Sequence, residues 1–221
     1  MGDTRLQTQL DSAAQELELE LSSDQQRSLL EYLGQMERWN KTYNLTAIRD
    51  IDQMLIQHVF DSLAVVAPMR ASLDGQENVT IADIGSGGGL PGVVLAVMCP
   101  QWTVYCVDSV EKKMAFVRQM SGVLGLSNLN AIHGRVEDIP PLNANIVVSR
   151  AFASLLDFAT LAGKHVNAAG RLAAMKGKHP EEEIIALHAH GQWKVQSVQQ
   201  LKVPRLEAQR CLVWIGRQGI T

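Results

Sequence analysis

Residues 79–92 constrain this chain more than any other stretch. A short apolar run, 79–84, leads straight into Gly85-Ser86-Gly87-Gly88-Gly89-Leu90-Pro91-Gly92, and a second apolar run follows. Glycine tolerates positive φ and presents bare main chain, so such a turn brings backbone amides close to a ligand at the start of the next helix. The pattern predicts a strand over 79–84, the turn, and a helix from about Pro91. A strand, glycine turn and helix in this order form the first unit of an open α/β sheet, with the ligand at the carboxyl end of the strand.

The rest of the chain shows two patterns. Residues 1–74 read as a helical extension. Leucines at 6, 10, 17, 19 and 21 suggest a helix over 4–20. Ser23 and Gln26 have capping-box spacing ahead of Leu29, Leu30, Leu33, Met36 and Trp39. A third helix over 51–66 is expected to stop at Pro68, and residues 71–78, with Gly75, read as a linker. Residues 75–221 then alternate strand and helix. Further strands are expected over 102–107, 129–133, 145–149 and 171–175, with helices over 111–124, 155–166 and after Pro180. Strands 193–203 and 211–215 close the chain as a hairpin. This alternation implies a mostly parallel sheet covered on both faces, with an antiparallel edge.

Composition narrows the function classes. The 221 residues, 46% hydrophobic and 19% charged, have the profile of a soluble globular protein. No apolar run approaches the roughly 18 residues of a membrane span. The acidic N-terminus lacks the apolar centre of a secretory signal, so a cytoplasmic protein is expected. Cys99, Cys106 and Cys211 lie in apolar stretches without ligand spacing, and the six histidines are scattered, so no metal is expected. The net charge of −3 hides an asymmetry: residues 1–150 hold 11 Lys/Arg against 18 Asp/Glu, whereas residues 151–221 hold 9 against 5. A polyanion could meet a locally positive C-terminal face.

The turn alone leaves two ligands open. Gly87, Gly89 and Gly92 match the dinucleotide fingerprint, and Asp108 lies about 20 residues on, where a ribose-binding acid belongs. An NAD-dependent oxidoreductase is therefore the competing reading. Against it, Gly85 and Ser86 separate strand from fingerprint, and Leu90-Pro91 is bulky where a pyrophosphate needs small residues. Asp83 fits the pattern Asp-x-Gly-x-Gly-x-Gly of S-adenosylmethionine loops, in which the acid orients the turn and the methionine end of the cofactor. Asp108 suits either ligand, since a carboxylate accepts hydrogen bonds from both ribose hydroxyls. Capping the next helix is its other available role.

Several segments go beyond the turn. Trp39-Asn-Lys-Thr-Tyr-Asn-Leu-Thr46, His58-Val-Phe-Asp-Ser62, the turn with Leu90-Pro91-Gly92, Ser149-Arg-Ala-Phe-Ala-Ser154 and Met175-Lys-Gly177 occur in this order. Together they resemble the ribosomal RNA small-subunit methyltransferase G family, also known as glucose-inhibited division protein B, over roughly residues 23–215. The resemblance implies a class I, Rossmann-like, S-adenosylmethionine-dependent fold. It also implies methylation of N7 of one guanine in a 16S ribosomal RNA loop near the decoding region, with free RNA, an assembly intermediate and the finished small ribosomal subunit all open as substrate; a monomer is the default expectation. It places Gly85, Leu90, Val136, Glu137 and Arg150 at the cofactor, alongside Asp83, Gly87, Gly89 and Asp108 of the motif. Gly88 departs from many members, which have proline there; glycine preserves the turn.

Guanine N7 has an in-plane lone pair and no proton to lose, so no acid or base is assigned. Catalysis would rest on positioning and on electrostatic setting. Phe152 is the expected neighbour of the guanine, with a core role as its alternative. Arg135, Lys176, Lys178, Arg205 and Arg210 are candidates for RNA phosphates, Lys176 and Arg210 foremost because they match family positions. His58 and Asp61, one turn apart, are expected to steady the helical extension.

Overall fold

The computed structural model describes residues 4–219. Helices come first: α1 (Thr4–Glu16), α2 (Ser23–Tyr43), α3 (Ile51–Met54), α4 (Asp61–Leu63) and α5 (Val66–Ser72). The capping box stands one residue earlier than its expected place. Ser22 Oγ accepts from the Gln25 amide (3.2 Å), and Gln25 Oε1 accepts from the Ser22 amide (2.9 Å). Both registers satisfy Ser-x-x-Gln; the observed one also lets Gln25 Nε2 donate to the Val97 carbonyl at the end of a sheet-covering helix (3.2 Å). The helix expected over 51–66 contains a π segment, Leu55–Phe60, between α3 and α4. Pro68 does not end it. It falls in the first turn of α5, where a missing N–H costs nothing, so helix continues into the expected linker as far as Ser72.

The sheet follows: β1 (Thr80–Ile84), α6 (Gly92–Met98), β2 (Thr103–Asp108), α7 (Glu111–Val123), β3 (Leu129–His133), β4 (Ala144–Ser149), α8 (Leu155–Ala162), β5 (Val166–Lys176), α9 (Glu181–His190), β6 (Trp193–Leu201) and β7 (Arg210–Arg217). Strand order is β3-β2-β1-β4-β5-β7-β6. The first five strands are mutually parallel, and β7 runs antiparallel between β5 and β6. The fold is thus the expected α/β sheet with an antiparallel edge hairpin. An all-parallel dinucleotide sheet of six strands has no place for β7.

Each face of the sheet carries its own apolar cluster. One contains Phe158, Leu187, Trp193 and Val213. The other joins Val104, Phe116 and Ile146 to Leu10, Leu29, Tyr32, Met36, Val59 and Phe60 of the helical segment. The helices before β1 therefore form a wall whose apolar side is continuous with the core of the sheet.

Candidate functional site

The strand order reverses between β1 and β4, and ligands of open α/β sheets lie in the crevice at such a point. Here the chain leaves β1 through Gly85 and leaves β4 through Arg150-Ala151. Gly85 has a φ of +69°, and a Cβ on it would stand 2.6 Å from Ala151 Cβ, so glycine alone allows this approach. Ser149 locks the two ends together. Its hydroxyl donates to the Ile84 carbonyl (2.6 Å) and accepts from the Ala151 amide (3.0 Å).

Two cavities meet at this waist, and Gly85 and Ala151 line both. The first, about 420 Å³, is bounded by Val107, Asp108, Val110, Val136, Glu137 and Leu161. The second, about 500 Å³, is bounded by Gly87, Leu90, Arg150 and Arg210 on the sheet side. Its other side is the helical wall, through Leu45, Thr46, Gln57, His58 and Asp61. The π segment carries Gln57 and His58 to this position.

Two carboxylates shape the glycine turn. Asp108 Oδ2 accepts from the Gly87 amide (2.9 Å), and Oδ1 accepts from the Val110 amide (2.9 Å). It does not cap a helix, since α7 begins only after Val110. Asp108 lines the first cavity, and the Lys113 ammonium stands 3.9 Å from its Oδ2. Asp83 lies beneath the turn, fully buried, and lines neither cavity. Its Oδ2 accepts from the Gly92 amide (2.7 Å), which consumes the helix-start N–H that would otherwise face a ligand. Asp83 therefore shapes the turn without touching the contents of the site.

Burial raises the Asp83 carboxyl to about 7, despite the opposing Gly92 amide bond. Its folded value lies above its ordinary 3.8, so the stability it contributes is full below pH 4 and lost as pH rises through 7. Asp83→Asn keeps an acceptor for Gly92 and removes the ionisation. Urea unfolding at pH 5 and pH 7.5 should show a smaller fall in the variant than in the wild type. An equal fall would remove Asp83 as its source.

In the second cavity the helical wall and the sheet are joined by charge. Asp61, its side chain 5% exposed, accepts from Arg150 Nη1 through Oδ2 (3.0 Å) and from Arg210 Nε through Oδ1 (3.0 Å). Arg150 Nη1 also reaches the Gln57 carbonyl (3.3 Å). His58 Nε2 meets the Thr46 hydroxyl (2.9 Å), and burial together with the Arg150 charge pushes its imidazole down to about 4. It is neutral near pH 7.

The remaining candidates divide as follows. Gly89 packs under the turn against Val93, and Leu90 lines the second cavity. Val136 and Glu137 bound the first cavity, and Arg135, paired with Glu137 (2.7 Å), stands on its rim rather than beside the second. Phe152 also faces the first cavity, its ring against Phe158 (centroids 5.2 Å), away from Arg150 and Arg210. Lys176 borders the second cavity, but its ammonium donates to the carbonyls of Phe152 (3.2 Å) and Ala153 (3.1 Å) and meets Glu183 (2.8 Å). With three donors so engaged, it clasps the segment after β4 instead of offering itself to a phosphate. The grouping of Asp61 with Arg150 and Arg210 carried no local sequence signal.

Comparison with known proteins decides the kind of ligand. The family described as rRNA small subunit methyltransferase G matches residues 25–213. The chain belongs to that family. It is 61% identical to the ribosomal RNA small subunit methyltransferase G of Bordetella petrii, over 94% of this chain and 82% of that protein. It is 48% identical to the protein of that name from Methylibium petroleiphilum, over 95% and 94% of the two chains. The fold is shared with a solved SAM-dependent methyltransferase from Aquifex aeolicus (TM-score 0.55, 18% identity, 74% of this chain and 92% of that one). The oxidoreductase reading falls, and the protein is an S-adenosylmethionine-dependent methyltransferase.

The residues present fit that cofactor. The first cavity combines apolar walls for an adenine with the Asp108 carboxylate for ribose hydroxyls. The waist at Gly85 leads from there, past the bare turn, to the second cavity. Among the described residues no helix is long and apolar enough to cross a membrane, and no group of three His, Cys, Asp or Glu side chains is placed to hold a metal.

Proposed function

We propose that this protein methylates N7 of one guanine in 16S ribosomal RNA, as a monomer in the cytoplasm. The observation that carries the reading is the pair of cavities meeting at Gly85 and Ala151. One is suited to adenosine. The other is lined by Arg150 and Arg210, whose combined charge exceeds that of Asp61 and suits an anionic chain.

S-adenosylmethionine, when bound, supplies an electrophilic methyl group on a positively charged sulfur. The chain's own part is placement. Asp108, Val136 and Glu137 would hold the adenosine part, and Gly85, Gly87 and Leu90 the remainder along the turn. Arg210, with Nε on Asp61 (3.0 Å) and Nη1 on the Gln209 carbonyl (2.9 Å), would keep Nη2 for RNA phosphate. Guanine N7 needs no base, and His58 is neutral and already bonded to Thr46, which suits a wall rather than a proton acceptor.

Transfer of labelled methyl to small-subunit RNA, followed by mapping of the modified base, tests the reading. Label at N7 of a single 16S guanine is expected; label on protein or at another atom would overturn it. Two variants separate the cavities. Asp108→Ala should weaken cofactor binding at least tenfold by calorimetry, since the turn and the ribose lose a shared acceptor. Arg210→Ala should leave that affinity within twofold and raise the KM for RNA.

A further inference from the structure

The end of α2 and the loop over 44–50 border the second cavity on their inner side and face solvent on the outer. Asn40, buried, braces the loop. Its amide donates to the Ile48 carbonyl (2.8 Å), and its oxygen accepts from the Thr46 amide (2.9 Å). Asn44 closes α2 in the left-handed conformation, its N–H donating to the Asn40 carbonyl (3.3 Å). Leu45, Thr46 and Ile48 are thereby presented to the cavity.

On the outside, two groups stand open. Tyr43 is 44% exposed, and its ring rests on Trp39 (centroids 4.8 Å), which rests on Phe116 (5.4 Å). The ring is therefore backed on one side and bare on the other. Arg49, also exposed, donates to the Asn40 carbonyl (2.8 Å) and to Asn44 Oδ1. Both partners are neutral, and no carboxylate pairs with Arg49 among the described residues. Neighbouring Lys41, by contrast, is neutralised by Glu37 (3.2 Å).

We propose that Tyr43 and Arg49 form a subsite for one nucleotide beside the target guanine, with its base on the Tyr43 ring and its phosphate on Arg49. The inference rests on the reading of the protein as an RNA methyltransferase. A guanine drawn out of its stack into the second cavity leaves a neighbouring base with one face uncovered. An exposed, backed aromatic ring replaces that lost partner and accepts any base, because every base has a π-face. Consecutive Cα atoms are about 3.8 Å apart, so Tyr43 sits within about 8 Å of cavity-lining Leu45, close enough for an adjoining nucleotide. Arg49 is fixed by its two hydrogen bonds, so little side-chain freedom is lost when it meets a phosphate.

The test compares wild type with Tyr43→Ala, Tyr43→Phe and Arg49→Gln. The probes are unmodified 16S RNA, protein-free and assembled into small subunits, whichever the wild type methylates. Tyr43→Ala should raise the KM for RNA roughly 5- to 100-fold, the worth of one base–aromatic stack, with cofactor affinity unchanged. Tyr43→Phe should restore wild-type KM. Arg49→Gln should lower the slope of log affinity against log salt by about 0.7, the loss of one single-strand phosphate contact. An unchanged KM in Tyr43→Ala, or a rise matched by an equal loss of cofactor affinity, would overturn the subsite. If the wild type methylates neither probe, the fault lies with the RNA reading itself, and the subsite falls with it.

Discussion

Asp61→Ala is expected to cost about 2–3 kcal/mol of stability and to cut methyl transfer to RNA at least tenfold. The carboxylate is nearly buried and is shared by two guanidinium groups, each 25% exposed. Removing one partner of a fully buried ion pair costs about 3–5 kcal/mol, because the other charge is left without compensation. Partial exposure lets water screen the two arginines, which places the expectation below that range. Arg150 and Arg210 approach from the ends of β4 and β7, and without Asp61 they repel each other across the second cavity. Asp61→Asn keeps the volume and one acceptor, and should fall between wild type and alanine. Urea midpoints at constant m-value measure the stability. A double-mutant cycle with Arg150→Ala isolates the bridge, and a coupling below about 0.5 kcal/mol would show that it contributes nothing specific.

Gly92→Ala is expected to be as damaging, by a route that involves no charge. A Cβ at this position would stand 2.3 Å from Cys106 Sγ and 3.0 Å from Asp83 Oδ2, both buried and neither at the end of a flexible side chain. Overpacking of this kind costs about 1–3 kcal/mol. The cost here should reach the upper end, because the shift also stretches the 2.7 Å bond from the Gly92 amide to Asp83. Cofactor affinity should fall with it, since the turn hangs from that bond. Cys106→Ala removes the nearer obstacle, so the double variant should recover part of the loss. Gly88→Ala is the control: its Cβ would crowd Met36 Cε at 3.2 Å, the tip of a side chain that can swing away, and meet the Phe116 ring at an ordinary 3.9 Å. If Gly92→Ala melts within a degree or two of Gly88→Ala, crowding under the turn does not govern the site.

The parts of this protein that were legible in the sequence are those dictated locally. The glycine turn announced itself because glycine is required where φ is positive and a neighbour stands too close for a Cβ, as Ala151 Cβ does at Gly85. The strands read well because a parallel sheet buried on both faces demands continuous apolar runs. The capping box was ambiguous for a local reason too, since Ser22 and Ser23 are followed by Gln25 and Gln26 at identical spacing, and only the distant Val97 carbonyl selects the register. Pro68 was misplaced because proline ends one helix and begins another with equal ease. What stayed hidden was tertiary. Asp61 lies 89 residues from Arg150 and 149 from Arg210, so no window of sequence joins them. Lys176 and Phe152 stand out in the sequence as candidates for RNA contact, yet their bonding depends on which way the chain turns after β4. Both are turned inward, Lys176 to two carbonyls and Phe152 to Phe158.

The helical wall and the sheet share one apolar cluster, with Tyr32, Met36 and Phe60 packed into the same core as Phe116 and Ile146. Local opening of a protein is easy where few apolar contacts are lost and hard where a core must come apart. The helices behind the second cavity belong to the hard class, so opening them is expected to require breaking that core. Amide hydrogens along the buried side of α2 should exchange with solvent on nearly the timescale of whole-molecule unfolding. Such a protein is expected to meet its RNA as a rigid mould, leaving to the nucleic acid the bending and unstacking needed for the two to fit.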